Sequence, residues 1–212
     1  MLRVLLVDDH PALRRGMKSI LEDAIAGVTV GEVGDGDQAL ALLAETEARP
    51  FDVVVLDLSM PGRSGIDLLA EVKHRYPKLP VLIMSLHGEE QFAVRSLRAG
   101  ASGYLTKTAA PELLVVAVQK LARGGRYISE SLADRLAADV GGKTAAAPHE
   151  RLSDREFEVM RGLASGQTVS EIAETMRLSV KTVSTYRTRL LEKLGMETNA
   201  EVTRYAIQNG LV

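Results

Sequence analysis

The chain opens on MLRVLLVDDHP, residues 1–11, where an apolar run ends on two adjacent aspartates. Like charges side by side repel, so the pair Asp8 and Asp9 needs an explanation. A solvated turn would account for it, and so would a cap on the helix that Pro11 can start. The third explanation is a cation held between the two carboxylates. The rest of the sequence decides among the three.

Apolar runs similar to the first recur through the first half of the chain. They are continuous rather than alternating, which is typical of strands buried on both faces, and stretches with helical apolar spacing separate them. Strands alternating with helices predict a parallel sheet covered by helices on both faces. The five runs are RVLLV (3–7), VTVGEV (28–33), DVVVLDL (52–58), PVLIM (80–84) and GYLTK (103–107), and the fifth strand–helix unit ends near Gly124.

The last part of the chain has no strand-like run and carries three S/T-x-x-E capping boxes, a pattern that marks helix starts. Ser179 is a fourth candidate start without its box, so residues 151–212 are predicted to form a compact module of four short helices. The preceding DVGGKTAAAPHE (139–150) has the composition of a flexible linker. The boxes pair Ser153 with Glu156, Thr168 with Glu171, and Thr198 with Glu201.

The composition is that of an ordinary soluble protein: 212 residues, 46% hydrophobic, 25% charged and a net charge of −2. The absence of cysteine excludes disulfides, thiolate catalysis and cysteine zinc sites. No apolar stretch approaches the length of a signal peptide or membrane span, so a cytoplasmic protein without a membrane partner is expected. Residues 177–193 hold five basic side chains and one acidic side chain. They form either a contact for an anionic partner or a solvated helix face.

Residues with chemically useful side chains follow the predicted strands directly, at the edge where open parallel sheets bind ligands. They are Asp8, Asp9, Asp57, Ser85 and Lys107. Three carboxylates brought together would hold a dense negative charge without a cation, and Mg²⁺ prefers oxygen ligands. A bound Mg²⁺ with Lys107 could neutralise a phosphoryl group that a strand-end carboxylate attacks. The opening pair is therefore interpreted as half of a metal site.

The motifs of the first half resemble the receiver domain of two-component response regulators over residues 1–123. They are LLVDDHP (5–11), VVVLDLSMPGRSGIDLL (53–69), IMSLHGEE (83–90) and AGASGYLTKT (99–108). The resemblance agrees with a five-stranded parallel, doubly wound, flavodoxin-like sheet.

The resemblance also implies where the receiver is phosphorylated and where it binds Mg²⁺. Asp57 corresponds to the phospho-accepting aspartate. A histidine kinase or a small phosphodonor would supply the phosphoryl group. Asp8 and Asp9 correspond to the acidic pair that binds Mg²⁺, joined by Asp57 and by the backbone carbonyl of Ser59. For His10, which follows the pair, an ordinary loop role is expected.

Three further positions match receiver residues with a role in switching. Ser85 stands where the switch hydroxyl is more commonly a threonine, and Lys107 corresponds to the invariant lysine. Tyr104 occupies the aromatic switch position, although packing of a strand aromatic on the fourth helix would explain it nearly as well. Thr108 follows Lys107 where many receivers have proline, which leaves the geometry of that peptide bond open.

The second half shows helix-turn-helix spacing in TVSEIAETMRLSVKTVSTYRTRLLEKLG, residues 168–195, with one helix to about Met176 and the next from Val180. On a wheel of the second helix the apolar side is formed by Val183, Leu190, Leu191 and Leu194. Small hydroxyls interleaved with cations on the polar side suit a DNA major groove, although every amphipathic helix has a polar face. The candidate DNA-contacting residues are Lys181, Ser184, Thr185, Arg187, Thr188 and Arg189, of which Arg187 lies nearest the apolar side.

From Leu152 to Val212 the chain resembles the LuxR-type DNA-binding domain. The motifs are LSDREFEVMRGLASG (152–166), EIAETM (171–176), SVKTVSTYRTRLLEKL (179–194) and YAIQNGLV (205–212). A receiver followed by this module is typical of the NarL/FixJ class of response regulator. The implied domains are a receiver at 1–123, a linker at 124–150 and a DNA-binding domain at 151–212.

The resemblance implies a transcription regulator, not an enzyme, that binds double-stranded DNA and forms a homodimer when Asp57 is phosphorylated. RNA polymerase is a further candidate partner. A rival hypothesis is a Mg²⁺-dependent phosphatase, but its D-x-D pattern would need a second acid where Ser59 stands. The other rival is an adaptor whose helical module binds protein, and loss of binding with rising salt would favour DNA instead.

Overall fold

The chain divides near residue 138 into two units. The computed structural model describes residues 1–46, 50–58, 60, 65–85, 89–129, 132–133, 147–176 and 178–212. Within these ranges no helix combines the length and the apolar character that a membrane crossing requires.

The first unit is built on a five-stranded parallel sheet in the order β2-β1-β3-β4-β5, which confirms the predicted fold. Every residue of β3 and β4 is buried, as expected for central strands covered on both faces. The strands are β1 (Arg3–Val7), β2 (Thr29–Val33), β3 (Val53–Asp57), β4 (Val81–Ser85) and β5 (Gly103–Thr106).

Helices cover both faces of this sheet. One face packs its side chains, Leu6, Val55 and Leu105 among them, against α1 and α5. Because side chains alternate along a strand, Tyr104 points to the opposite face, which carries α4 beside β5. The helices are α1 (Pro11–Ala24), α2 (Gly36–Glu45), α3 (Gly65–Arg75), α4 (Glu89–Arg98) and α5 (Pro111–Ala122).

The packed part of the first unit continues beyond α5. The Tyr104 amide donates to the Tyr127 carbonyl at 3.0 Å, and the Tyr127 amide donates to the Ser102 carbonyl at 3.0 Å. A Cβ on Gly103 would lie 2.7 Å from the Tyr127 carbonyl oxygen. Glycine at position 103 therefore lets the chain after residue 123 lie directly against β5.

The second unit is helical, as predicted, and its helices begin at the predicted caps. All three capping boxes are formed. At the start of the second helix of the helix-turn-helix, the Ser179 hydroxyl accepts a hydrogen bond from the Thr182 amide. That helix ends at Gly195, whose φ of 66° favours glycine. A 3₁₀ turn (Pro148–Arg151) precedes α6 (Asp154–Ala164), α7 (Val169–Thr175), α8 (Val180–Leu194) and α9 (Asn199–Gln208).

The core of the helical unit lies between α6 and the helices α7, α8 and α9. Phe157 and Met160 of α6 and Val202 of α9 are buried there. From α8, Val183, Leu190 and Leu191 are buried and Leu194 is partly buried. The apolar side predicted by the helical wheel is thus the side that packs.

Glu156 is a buried acid at the centre of this unit. Its Oε2 caps the Ser153 amide at 2.7 Å and accepts Lys193 Nζ at 2.6 Å. Burial alone would raise the pKa of this carboxyl. The hydrogen bonds from Lys193 and from Ser153 together outweigh burial and hold the pKa below its ordinary value.

Glu156→Gln should therefore weaken the helical unit in a pH-dependent way. Since the native pKa lies below the unfolded value near 4.5, the unfolded chain binds the proton first as pH falls. The contribution is complete at neutral pH and is lost as pH falls through the native pKa. Glutamine keeps the capping hydrogen bond but not the charge, so about 1–2 kcal/mol should be lost at pH 7 and less near pH 3.

Hydrogen exchange of the α6 and α8 amides in the full chain, followed against urea at both pH values, measures this difference. Glu174→Gln, an exposed glutamate of α7, is the control and should change stability little at either pH. A Glu156→Gln loss of equal size at both pH values would contradict the assigned role of the charge.

Candidate functional site

The strand register brings the predicted site residues to one edge of the sheet. Asp57 is paired with Met84, so the end of β3 lies beside Ser85 at the end of β4. Ser85 is paired with Thr106, and the Lys107 amide donates to the Ser85 carbonyl at 2.7 Å. β1 is paired with β3 on the other side, which places Asp8 next to the end of β3.

Lys107 joins two buried carboxylates at this edge. Its Nζ lies 2.7 Å from Asp57 Oδ2 and 2.8 Å from Asp8 Oδ2, and each of the three side chains is no more than 1% exposed. Burial removes most of the solvent and salt screening that weakens surface ion pairs. The ammonium is therefore a fixed positive charge directly beside the candidate phosphoacceptor.

Asp9 and His10 complete the cluster on its solvent side. The His10 Nδ1 lies 2.8 Å from Asp9 Oδ1 and 3.3 Å from Asp8 Oδ1. One ligand atom from each of Asp8, Asp9, His10 and Asp57 lies within 4.8 Å of all the others. The expectation of an ordinary loop role for His10 did not anticipate this position, and its place directly after the acidic pair was the available signal.

The donor set of the cluster fits a divalent cation. Among the described residues three carboxylates face one ammonium, so a charge of about −2 is left to balance when the imidazole is neutral. Arg14 donates to the backbone carbonyl of Asp8, and its Nε lies 3.6 Å from Glu32 Oε1, on a carboxylate that Lys18 Nζ also contacts at 2.9 Å. Carboxylate oxygens are the ligands that Mg²⁺ prefers. Ser59, whose carbonyl was predicted to join them, lies outside the described residues.

The two predicted switch residues are both buried. Ser85 is fully buried at the end of β4, one strand from Asp57, and Tyr104 is 1% exposed on β5. Tyr104 lies on the same sheet face as α4, which agrees with a packing role as well as with a switching role. The Lys107–Thr108 peptide bond, whose geometry the sequence left open, is trans.

The start of α3 is pressed against the end of β3. The Gly65 amide donates to the Leu58 carbonyl at 3.3 Å. A Cβ on Gly65 would lie 2.5 Å from Leu58 Cα and 2.8 Å from the Asp57 carbonyl oxygen. Any side chain at position 65 would therefore displace the backbone that carries Asp57.

On α8, five of the six candidate DNA-contacting residues are exposed, and Arg187 is partly buried. Arg187 Nε donates to Asn199 Oδ1 at 2.7 Å, which ties α8 to the start of α9. The Thr185 hydroxyl donates to the Lys181 carbonyl and the Thr188 hydroxyl to the Ser184 carbonyl. Both hydroxyl hydrogens are thus engaged within the helix.

Val180 was not among the residues predicted for this face, although it is half-exposed at the first turn of α8. Lys193 belongs to the basic run but is bonded to Glu156. Val180 lies four residues before Ser184 and eight before Thr188, and this spacing was the signal that places it on the exposed line.

Models of two protein families match the two units. The first, described as the response regulator receiver domain, matches residues 4–119. The second, described as bacterial regulatory proteins of the luxR family, matches residues 150–206.

Whole-length relatives combine the same two parts. Response regulator UvrY of Escherichia coli strain K12 is 37% identical over 212 residues, covering 100% of this chain and 96% of the relative. Response regulator GacA of Pseudomonas protegens is 35% identical over 212 residues, covering 100% and 98%. The structure of RcsB from Salmonella enterica serovar Typhimurium bound to promoter rprA with the phosphomimetic BeF3⁻ is similar with a TM-score of 0.62. It is 29% identical and covers 97% of this chain and 98% of that chain.

A parallel sheet with buried carboxylates and a lysine at its carboxyl edge, followed by a helix-turn-helix unit, defines a phosphorylation-controlled DNA-binding regulator. The chain belongs to the two-component response regulators of the NarL/FixJ class.

Gly65→Ala should damage the site through the backbone. Its methyl group has no room, and overpacking of this kind costs about 1–3 kcal/mol. We expect a lower urea midpoint for the first unit and slower labelling by acetyl phosphate. Gly16→Ala is the matched control, because Gly16 is an exposed position of α1 and no atom lies within 4 Å of the added Cβ. This variant should stabilise the first unit by about 0.5–1 kcal/mol. A Gly65 variant as stable and as readily labelled as wild type would show that α3 can shift freely.

Proposed function

We propose that Asp57 accepts a phosphoryl group from a histidine kinase or a small phosphodonor, and that this modification controls DNA binding by α8. The observation that carries the proposal is the buried cluster in which Lys107 contacts both Asp57 and Asp8. A lysine held at 2.7 Å from one carboxylate, with an excess of negative charge around it, is organised for a charged reactant and not for packing.

Asp57 is the nucleophile in this proposal. One of its carboxylate oxygens bonds to phosphorus while the bond from phosphorus to the donor atom breaks, and the donor leaves with that electron pair. Lys107 is close enough to Asp57 for its ammonium to meet an oxygen of the incoming phosphoryl group. Mg²⁺, when bound by Asp8, Asp9, Asp57 and the Ser59 carbonyl, would neutralise further charge on the phosphoryl oxygens.

The buried hydroxyl of Ser85 is the proposed contact for a phosphoryl oxygen after transfer. Such a contact would favour one of two receiver conformations and would not pull on the structure mechanically. Tyr104, buried on the neighbouring strand, is the proposed reporter of that change. The same acceptor chemistry without turnover makes the chain a regulator and not a phosphatase, and repeated hydrolysis of a phosphoester would be the contrary result.

The proposed DNA contacts follow from the exposed face of α8. Lys181 and Arg189 supply charge to the phosphate backbone, while Ser184, Thr185 and Thr188 face base edges. Because the two threonine hydroxyls donate within the helix, they offer a base edge only acceptor lone pairs and methyl groups. Thymine methyls and the amino groups of cytosine and adenine are the partners that such a surface suits. Arg187, held by Asn199, can reach a phosphate only by exchanging that bond.

Phosphorylation of Asp57 is proposed to promote a homodimer that binds two half-sites. A single helical module offers few base contacts, so pairing raises both affinity and specificity. We further propose a receiver at residues 1–123, a linker at 124–150 whose first residues pack against β5, and a DNA-binding domain at 151–212. A cytoplasmic location and RNA polymerase as a further partner belong to the same proposal.

Asp57→Ala should abolish labelling by acetyl phosphate, because the proposal assigns Asp8 and Asp9 to Mg²⁺ and Asp57 to the phosphoryl group. Asp67→Ala, an exposed aspartate in the first turn of α3, is the control and should label normally. Asp9→Ala should slow labelling and weaken Mg²⁺ binding without unfolding the first unit. Base-labile label that persists in the Asp57 variant would exclude this residue as the acceptor.

Lys181→Ala should weaken binding to all DNA sequences alike. Removing a single phosphate-binding cation makes the slope of log K against log salt shallower by about 0.9. Lys193→Ala is the matched control, because Lys193 carries the same charge on the same helix but is bonded to Glu156. That variant should lose stability and keep its salt slope. Equal slopes for wild type and Lys181→Ala would exclude Lys181 from the DNA interface.

Phosphodonor should shift the protein from monomer to dimer in sedimentation velocity, and Asp57→Ala should not respond. The dimer should protect two half-sites about one helical turn apart in a footprint. A phosphorylated protein that stays monomeric on DNA would contradict the pairing step and leave the acceptor assignment intact.

A further inference from the structure

His10 places an imidazole nitrogen among the carboxylates assigned to Mg²⁺. Its Nδ1 approaches two different carboxylates at once, Asp9 at 2.8 Å and Asp8 at 3.3 Å. A ring N–H carries one hydrogen, so it can make a well-aligned hydrogen bond to only one of the two oxygens. An imidazole nitrogen placed between two carboxylate oxygens in this way is positioned to bind one ion together with them.

The backbone fixes the ring at this place. His10 immediately precedes α1, and its amide donates to Asp8 Oδ1 at 2.7 Å. Pro11 follows and disfavours a helical conformation at His10, which is extended with φ −94° and ψ 101°. The side chain is 46% exposed, so the ring forms the solvent-facing rim of the cluster and can receive an ion from solution.

Lys107 contacts the other side of the same acid. It lies against Asp8 Oδ2, whereas His10 lies against Asp8 Oδ1. The ammonium and the imidazole therefore do not compete for one carboxylate oxygen. Asp8 Oδ1, Asp9 Oδ1 and His10 Nδ1 form a separate triangle.

The two nitrogen–oxygen edges of that triangle are close to those of a metal coordination shell. Neighbouring ligands of an octahedral ion with metal–ligand distances of roughly 2.0–2.1 Å are about 2.9 Å apart. The two observed nitrogen–oxygen distances, 2.8 and 3.3 Å, lie on either side of this value. The residues therefore need little movement to share an ion.

We infer that His10 is a nitrogen ligand of the receiver's cation and gives the site a preference for first-row transition ions over Mg²⁺. The inference rests on the proposed function, because it uses the same cation site. Mg²⁺ gains little from a nitrogen donor, whereas Co²⁺ and Ni²⁺ bind imidazole well. His10 should therefore set the ratio of affinities and not the Mg²⁺ affinity itself.

Titration calorimetry of the untagged full chain with MgCl₂ and with CoCl₂ tests this inference. The titrations are run at mildly alkaline pH, because only an unprotonated imidazole nitrogen can bind a metal ion. His10→Ala should lower Co²⁺ affinity by at least the roughly tenfold that loss of an outer-shell partner costs, and change Mg²⁺ affinity much less. His10→Asn keeps a short polar group without imidazole and should behave like His10→Ala.

His74→Ala, an exposed histidine on α3, is the matched control and should leave the affinities for both ions unchanged. In proton spectra, Co²⁺ should shift the His10 ring signals strongly and leave the His74 signals in place. Equal losses for both ions in His10→Ala, or a full Co²⁺ affinity in either variant, would overturn the inference and leave a carboxylate-only site. Mg²⁺ affinity that is unchanged in Asp9→Ala would instead overturn the proposed site itself.

Discussion

The first unit depends on one electrostatic constraint: a parallel sheet collects the ends of its strands at one edge, and here those ends carry three carboxylates. Lys107 answers part of that charge by contacting Asp8 and Asp57 together. Removing one partner of such a buried pair typically costs about 3–5 kcal/mol, so the lysine cannot be an incidental contact. The negative charge that Lys107 leaves unbalanced can bind a cation. Such a cation could then neutralise charge on an incoming phosphoryl group. The site is thus organised by an excess of negative charge more than by its shape.

Glu156 is a buried carboxylate whose charge, unlike that of the cluster at the sheet edge, is balanced by the protein. One buried carboxylate there receives the Lys193 ammonium and the Ser153 amide, and its pKa falls although burial opposes this. Its acceptor capacity is filled by groups of the protein, which suits a structural role in joining α6 to α8. The cluster at Asp8, Asp9 and Asp57 has more acid than base among the described residues. The difference in charge balance separates a stabilising buried acid from a reactive one.

The sequence predicts the fold and most of the site because both rest on local patterns. Continuous apolar runs and capping boxes predicted the sheet and the helical unit, and the strand-end aspartates and Lys107 follow the runs directly. What it could not predict depends on contacts between distant residues. Lys193 and Arg187 belong to one basic run, yet Glu156 binds the first and Asn199 the second. The contact of the His10 ring with Asp9 could not be predicted either, because it depends on the turn geometry after β1.

A physical link between the phosphoacceptor and Tyr104 follows from the position of Lys107. Before transfer the ammonium is shared by Asp57 and Asp8, and both contacts are short. Phosphorylation at Asp57, as proposed, would replace one carboxylate charge by a group carrying about −1.5 to −2 and would change the balance between those two contacts. Lys107 directly follows β5 and its amide is bonded to the Ser85 carbonyl. A shift of Lys107 that includes its backbone would therefore be passed to β4 and β5. Tyr104 lies on β5, buried on the face that carries α4, so a movement of β5 would change its packing.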